Sequence, residues 1–300
     1  MAGWLRRFDT QPEPVRHPPP PTATLAGGAA RHSSVPIMRV HVVSDVHGNA
    51  EALARAGADA DALIVLGDLL DFVDYQAHDK GILGRLFGAE KVGRFARLRR
   101  EGTREESIAF SRSLWASLED PAGAVEEAIR EQYAVLFKAM TAPTFATPGN
   151  VDTPELWTEF AGHGVTIVDG GVVEIGGLRF GFAGGVVLPD GAVLRRANPV
   201  WKPYLRARDE FAGAVGKLDD IDVLCTHVPP AFPELTYDVV ARRHEMGSDA
   251  LRAVIAEQRP RWALFGHVHQ PLSARLRAGR TECRNVGHFK VTERPYVLRW

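Results

Sequence analysis

Seven side chains able to bind a metal ion follow five apolar runs in this sequence. VHVVS leads into Asp45-Val46-His47, LIVLG into Asp68, TFATPG into Asn150, VLCT into His227, and ALFG into His267-Val268-His269. Two Asp, one Asn and four His make a mixed oxygen and nitrogen set, which suits Mn, Fe or Zn better than Ca or Mg. In DVH and HVH the candidate ligands stand at i and i+2, positions that project to one side of an extended backbone. Gly67, Gly149 and Gly266 precede candidate ligands, where a missing side chain permits close backbone approach. Each fragment alone has a plainer reading. DVH suits a solvated loop, Asp68 a helix N-cap, and His227 a hydrogen-bonded residue at the rim of a core. Their joint occurrence at strand ends is what argues for a site, because in α/β sheets ligands bind beyond the carboxyl ends of the strands.

The elements that must position these residues alternate between short apolar runs and helical stretches from Ile37 onward, as in an α/β fold. IMRVHVVS, DALIVLG, TFAT, IDVLCT and RWALFG read as buried strands. Helices are expected over Glu51 to Ala56, Tyr204 to Lys217 and Ser248 to Glu257. VTIVDGGVVEIGGLRFGFAGG, with β-branched residues and GG turns, reads as consecutive antiparallel strands, and LSARLRAGRTECRNVG as another hairpin. Between the second and third strands lies a long detour from Val73 to Met140. In it SIAFSRSLWASLED and AVEEAIREQYAVLFKAM have helical apolar spacing. Its basic centre holds Lys91, Arg94, Arg97, Arg99 and Arg100, which fit either a solvated helical face or a lid that recruits an anionic substrate.

Composition narrows the classes. The 300 residues are 45% hydrophobic, enough for a large core, and carry a formal charge of -1, so nothing pulls the whole chain toward nucleic acid or anionic lipid. Cys225 and Cys283 cannot make a disulfide framework, and a reduced, cytoplasmic chain is the simplest reading. No apolar run reaches the length of a membrane span. Residues 1–36, dense in Pro, Ala, Gly and Ser, read as a disordered arm without the continuous apolar stretch of a secretory signal.

In order and residue type, DVH, GD, GNVD, TH and GHVH resemble the calcineurin-like metallophosphoesterases, marked by DxH, GD, GNH with a following acid, a lone His, and GHxH. The resemblance spans Asp45 to His269 and implies a four-layer α/β/β/α sandwich of two mixed β-sheets flanked by helices. The domain would run over 37–300, with a helical insertion at about 74–140. It also implies two divalent ions, one held by Asp45, His47 and His269 and the other by Asn150, His227 and His267, with Asp68 bridging. Val151 departs from the pattern, for it replaces the histidine that in relatives contacts the phosphate and assists the leaving group.

Two cations sharing a water lower its pKa and grip the phosphoryl oxygens, so a metal-bound hydroxide would be the nucleophile on a small phosphoester. Two dications, two carboxylates and one hydroxide leave about +1, which a phosphodiester monoanion neutralises. An isopropyl group at 151 supplies no proton, which tilts the expectation the same way. A phosphomonoesterase or a catalytically weak metal-binding scaffold is the alternative. Asp152 would cap the helix beginning TPELW or support the ligands; Asp71 fits a GDxxD spacing as a helix start or in a supporting role. His78 is a candidate substitute acid set against a plain surface histidine. Arg195 and Arg196, with Asn150, are candidate substrate contacts, and Trp201 beside Lys202 would either stack on a base or be buried. Nothing in the sequence points to an oligomeric partner.

Overall fold

A computed structural model describes residues 37–188 and 200–300; the arm at 1–36 and the pair Arg195 and Arg196 lie outside the described residues. The chain enters through β1 (Arg39–Val43), α1 (Ala50–Ala56) and β2 (Ala62–Val65). Four helices follow before the next strand: α2 (Gly81–Phe87), α3 (Ala89–Glu101), α4 (Arg104–Trp115) and α5 (Pro121–Lys138). Next come β3 (Thr144–Ala146), a 3-10 turn at Pro154–Leu156, α6 (Trp157–Phe160), β4 (Val165–Ile167), β5 (Gly171–Ile175), β6 (Leu178–Ala183) and β7 (Val186–Val187). Beyond residue 200 lie β8 (Leu205–Arg206), α7 (Arg208–Val215), β9 (Val223–Thr226), α8 (Pro233–Thr236), β10 (Tyr237–Asp238) and β11 (Arg243–His244). The chain closes with α9 (Asp249–Gln258), β12 (Trp262–Phe265), β13 (Arg275–Ala278), β14 (Thr281–Asn285), α10 (Phe289–Thr292) and β15 (Tyr296–Arg299).

Two large mixed sheets result, of order β15-β1-β2-β3-β4 and β13-β14-β12-β9-β6-β5. In the first, only β15 runs antiparallel to its neighbour. In the second, β14, β12, β9 and β6 are parallel, and the edges β13 and β5 are antiparallel.

The alternation of side chains along each strand builds the layers. Val40 and Val42 of β1 and Ala62 and Ile64 of β2 join Phe180, Phe182, Val223, Cys225 and Leu264 in one cluster between the sheets. The intervening Val43, Leu63 and Val65 pack instead with Leu53 of α1 and Ile129, Tyr133 and Leu136 of α5. On the other sheet, Leu224, Ala263 and Phe265 meet Phe211 and Val215 of α7 and Leu251 and Ile255 of α9. Helix, sheet, sheet, helix is therefore the arrangement, with the central strands β2 and β9 buried along their whole length and the outer strands partly exposed. Cys225 and Cys283 are free and buried, on opposite faces of the second sheet. No helix among the described residues is long and apolar enough to cross a membrane.

Local chemistry sets the helix ends. Thr103 and Glu106 form a reciprocal capping box on α4, and Asp120 caps α5 ahead of Pro121. In α3, Lys91, Arg94, Arg97, Arg99 and Arg100 lie along the helix, and the Arg94 guanidinium sits 4.6 Å from the Phe110 ring centre of α4.

Two expectations fail. The segment 165–185 is not a run of antiparallel strands: β4 joins the first sheet parallel to β3, and only β5 and β6 pair antiparallel, in the second. Turn signals mark where a chain bends but not which sheet takes the next strand. The helix expected from Tyr204 begins at Arg208, because Leu205 and Arg206 pair with Val186 and Val187.

Candidate metal centre

Six strands, three from each sheet, end at one place. The loops after β1, β2 and β3 bring Asp45, His47, Asp68 and Asn150, while those after β9 and β12 bring His227, His267 and His269. The sixth, after β14, brings His288. Backbone bonds stitch the loops together. The Asp45 N–H donates to the Gly67 carbonyl at 3.1 Å, His47 N–H to that of Asp68 at 2.9 Å, and Gly266 N–H to that of His227 at 3.0 Å. Across the seam between the sheets, the His267 N–H donates to Asp45 Oδ2 at 3.0 Å. A methyl at Gly149 would collide with Asp68 Oδ1, and one at Gly266 with Ser44 Oγ and Asp45 Oδ2, so glycine is the residue that lets the loops approach this closely.

The backbone here is not extended. Asp45 (φ 58°), His47 (φ 40°), Asp68 (φ 53°) and His267 (φ 67°) all adopt the left-handed region, at a cost of about 1–3 kcal/mol each. The pairing in DVH and HVH thus arises differently from the i, i+2 reading of an extended chain. Sharp turns bury Val46 and Val268 and turn the flanking polar side chains inward.

Two groups of donors face each other. On one side, His269 Nε2 lies 3.4 Å from Asp45 Oδ1 and 3.3 Å from His47 Nε2, and His47 Nε2 is 3.9 Å from both Asp45 Oδ1 and Asp68 Oδ2. On the other, His227 Nε2 is 3.1 Å from Asn150 Oδ1 and 3.5 Å from Asp68 Oδ1, with the His267 ring centre 5.2 Å from that of His227. Asp68 reaches both groups with different oxygens.

The hydrogen bonding of this cage is that of a cation site. His227 Nδ1 lies 2.8 Å from the Leu66 carbonyl and His47 Nδ1 3.0 Å from that of Leu70. A proton on each Nδ1 satisfies those carbonyls and turns the Nε2 lone pair inward. His227 Nε2 then meets Asn150 Oδ1 acceptor against acceptor, a pairing that a cation reconciles. Asp45 Oδ1 and His267 Nε2 are buried without a hydrogen-bond partner among the described residues, where buried polar atoms almost always have one. Electrostatics agree. Burial lowers the affinity of His227 and His269 for a proton, yet the Asp45 and Asp68 carboxylates outweigh it and raise both. Burial raises the Asp45 carboxyl, but His269, His227 and His47 hold it below the ordinary carboxylate range. His267, buried and repelled by His227, is pushed down to about 4. Carboxylates and inward lone pairs together favour positive charge here, and the residues present fit divalent ions.

The flanking residues settle several readings. Asp152 does not cap the turn after it: the carboxylate accepts from Gly149 N–H at 2.9 Å and Leu69 N–H at 3.0 Å, joining the GN and GD loops. Burial and the charge of Asp68 push its pKa up to about 7. Asp71 and Asp74 share the Lys290 ammonium, each at 2.8 Å, and the main chain of Asp71 is clasped by Gln132 of α5. His78 packs on Gly93 of α3 and is not among the cage residues. Trp201 is stacked on Phe72 at 4.2 Å and 26° and is partly buried against the core. Val151 uses its N–H to bond Asp68 Oδ1 at 2.9 Å, and its side chain joins Phe72 and Trp201 against the core.

Three contributors were not read from the sequence. His288 stacks on His269 with ring centres 3.9 Å apart, and Gly287-His288 after β14 repeats the strand, glycine, histidine order of Gly266-His267. Lys290 follows it by two residues. Tyr133, whose hydroxyl accepts from Thr153 N–H at 2.7 Å and lies 3.4 Å from Asp152, sits mid-helix in α5 with no local signal.

The chain belongs to the calcineurin-like phosphoesterase family, whose family model matches residues 38–271. Members generally work with a dinuclear metal centre; this chain is a phosphoesterase hydrolase with candidate ligand groups for metal. A solved structure 17% identical over 88% of this chain and 98% of its own superposes with a TM-score of 0.52, a likeness of fold. TT1561 of Thermus thermophilus is 14% identical over 87% of this chain and 98% of its own, TM-score 0.49. An archaeal phosphodiesterase is 13% identical over 88% and 100%, TM-score 0.36. No curated protein matches the chain.

Proposed function

We propose that the chain hydrolyses phosphodiesters in preference to monoesters, with Asp45, His47 and His269 holding one divalent ion, Asn150, His227 and His267 the other, and Asp68 shared. Mn, Fe or Zn suits the donor set. When bound, such a pair of ions lowers the pKa of a water and stabilises the charge developing on the phosphoryl oxygens. The chain supplies the rest. Val151 N–H and the strained turns hold Asp68 between the two groups of donors, and Asp152 fixes the loops on either side of it.

The observation that carries the preference is residue 151. Its backbone orients a carboxylate, while its partly buried isopropyl side chain has no proton to give a departing oxygen. A substrate whose leaving group departs without much help, carrying one negative charge, suits such a site best. Beside His47 a groove of about 760 Å³ runs between α1, α2 and α5, and its lining mixes Lys80, Arg85 and Lys290 with Glu51, Asp74 and Glu131.

Mn-loaded protein is expected to cleave bis(p-nitrophenyl) phosphate faster than p-nitrophenyl phosphate. A loaded preparation inert on both overturns the reading. Val151→His restores a donor and should raise the monoester rate by about 100-fold or more, the ordinary yield of general acid catalysis; an unchanged rate removes residue 151 from the explanation.

A further inference from the structure

We propose that His288 is a third histidine ligand to the ion held by Asp45, His47 and His269, an inference that rests on the two-ion reading above. Ligand nitrogens of His47, His269 and His288 all lie within 4.8 Å of one another. His288 Nε2 is buried and has no hydrogen-bond partner among the described residues, an arrangement that costs stability unless something else engages the atom. The backbone brings it there firmly. Phe289 N–H donates to the Ser44 carbonyl and Lys290 N–H to that of Asp45, both at 3.0 Å, so the loop after β14 is fastened to the loop that carries Asp45 and His47.

Between these anchors the ring has few uses. It lies nearly parallel to His269, at 15° with centres 3.9 Å apart, and 5.6 Å from the ring centre of His47. Any flat apolar ring would serve as a wall at that position; only a ligand needs the nitrogen. Coordination asks for a turn of the imidazole about its own side-chain bonds, since the backbone is already in place. A third imidazole would make this half of the centre richer in nitrogen than the other and shift its preference from Mn toward Zn or Fe.

The test is metal affinity, read without turnover. Wild-type protein, His288→Ala and His288→Phe are stripped with a chelator and titrated with Zn2+ against a chromophoric competitor, and the Co2+-loaded forms are compared by visible absorption. Wild type should bind two ions. Both variants should bind one with unchanged affinity and the other at least about tenfold more weakly, with an altered Co2+ spectrum. The Phe variant keeps a ring against His269, so it decides the matter even if the Ala variant folds poorly. Wild-type affinity and spectrum in His288→Phe make the residue a wall and overturn the proposal while leaving the two-ion reading standing. A wild-type chain that binds no ion overturns both.

Discussion

The histidines of the two halves of the cage stand in opposite settings. His47 and His269 reach the surface, their side chains 15% and 38% exposed, above a buried Asp45. His227 is fully buried and fastened to Leu66, with Asn150 and His267 partly exposed beside it. His227 is thus an interior residue, and His47 and His269 form the rim. A buried ligand serves folding and binding together, whereas a rim ligand serves binding alone.

Asp68 joins the halves, and its removal is the largest change expected. Asp68→Ala should lower turnover by about 1,000-fold or more, since several kcal/mol of charge stabilisation are lost at once, and metal analysis should show both ions weakened. Retention of one ion at full affinity would mean that the halves are independent.

The next effect separates the halves directly. In metal-free protein, His227→Ala leaves a cavity and takes from the Leu66 carbonyl one of its two donors, the other being the Ser44 hydroxyl, and should cost about 2–4 kcal/mol in urea unfolding, while His269→Ala should cost under about 1 kcal/mol. Equal losses would erase the distinction between core ligand and rim ligand.

The smallest effect is a pH dependence. Asp152, raised from 3.8 to about 7, and His227 and His269, raised from 6.5, hold their protons more tightly in the folded chain. The stability they lend is full below their unfolded values and is lost as pH rises through the folded ones. His267 and His288, both lowered to about 4, act in the opposite sense and add stability as pH rises through their unfolded value of 6.5, a gain complete about one pH unit above it. The melting temperature of metal-free protein should therefore fall once pH exceeds about 7.5. Mn-loaded protein should show the opposite trend, because ions displace those protons. A flat metal-free profile would mean that the carboxylates are not the source of the shifts.

Much of this was legible in the residue order. Asp45, His47, Asp68, Asn150, His227, His267 and His269 could be picked out because each follows a strand, and the ends of parallel strands converge whatever the details of packing. Two readings of local pattern failed for one reason. The partner of β4 and the pairing of Leu205 and Arg206 with β7 are decided by which sheet edge lies within reach, a property of the folded whole.

The sequence by itself determined the α/β alternation and the donor set, since strand periodicity and ligand types are written residue by residue; the sandwich was implied by the resemblance of the motifs to a family. Only the tertiary structure decided that four of those side chains sit on left-handed turns, that His227 is buried while His47 and His269 reach the surface, and that His288, Lys290 and Tyr133 reach the cage or its supports. Those outcomes depend on distances between residues far apart in the chain, and packing alone sets them.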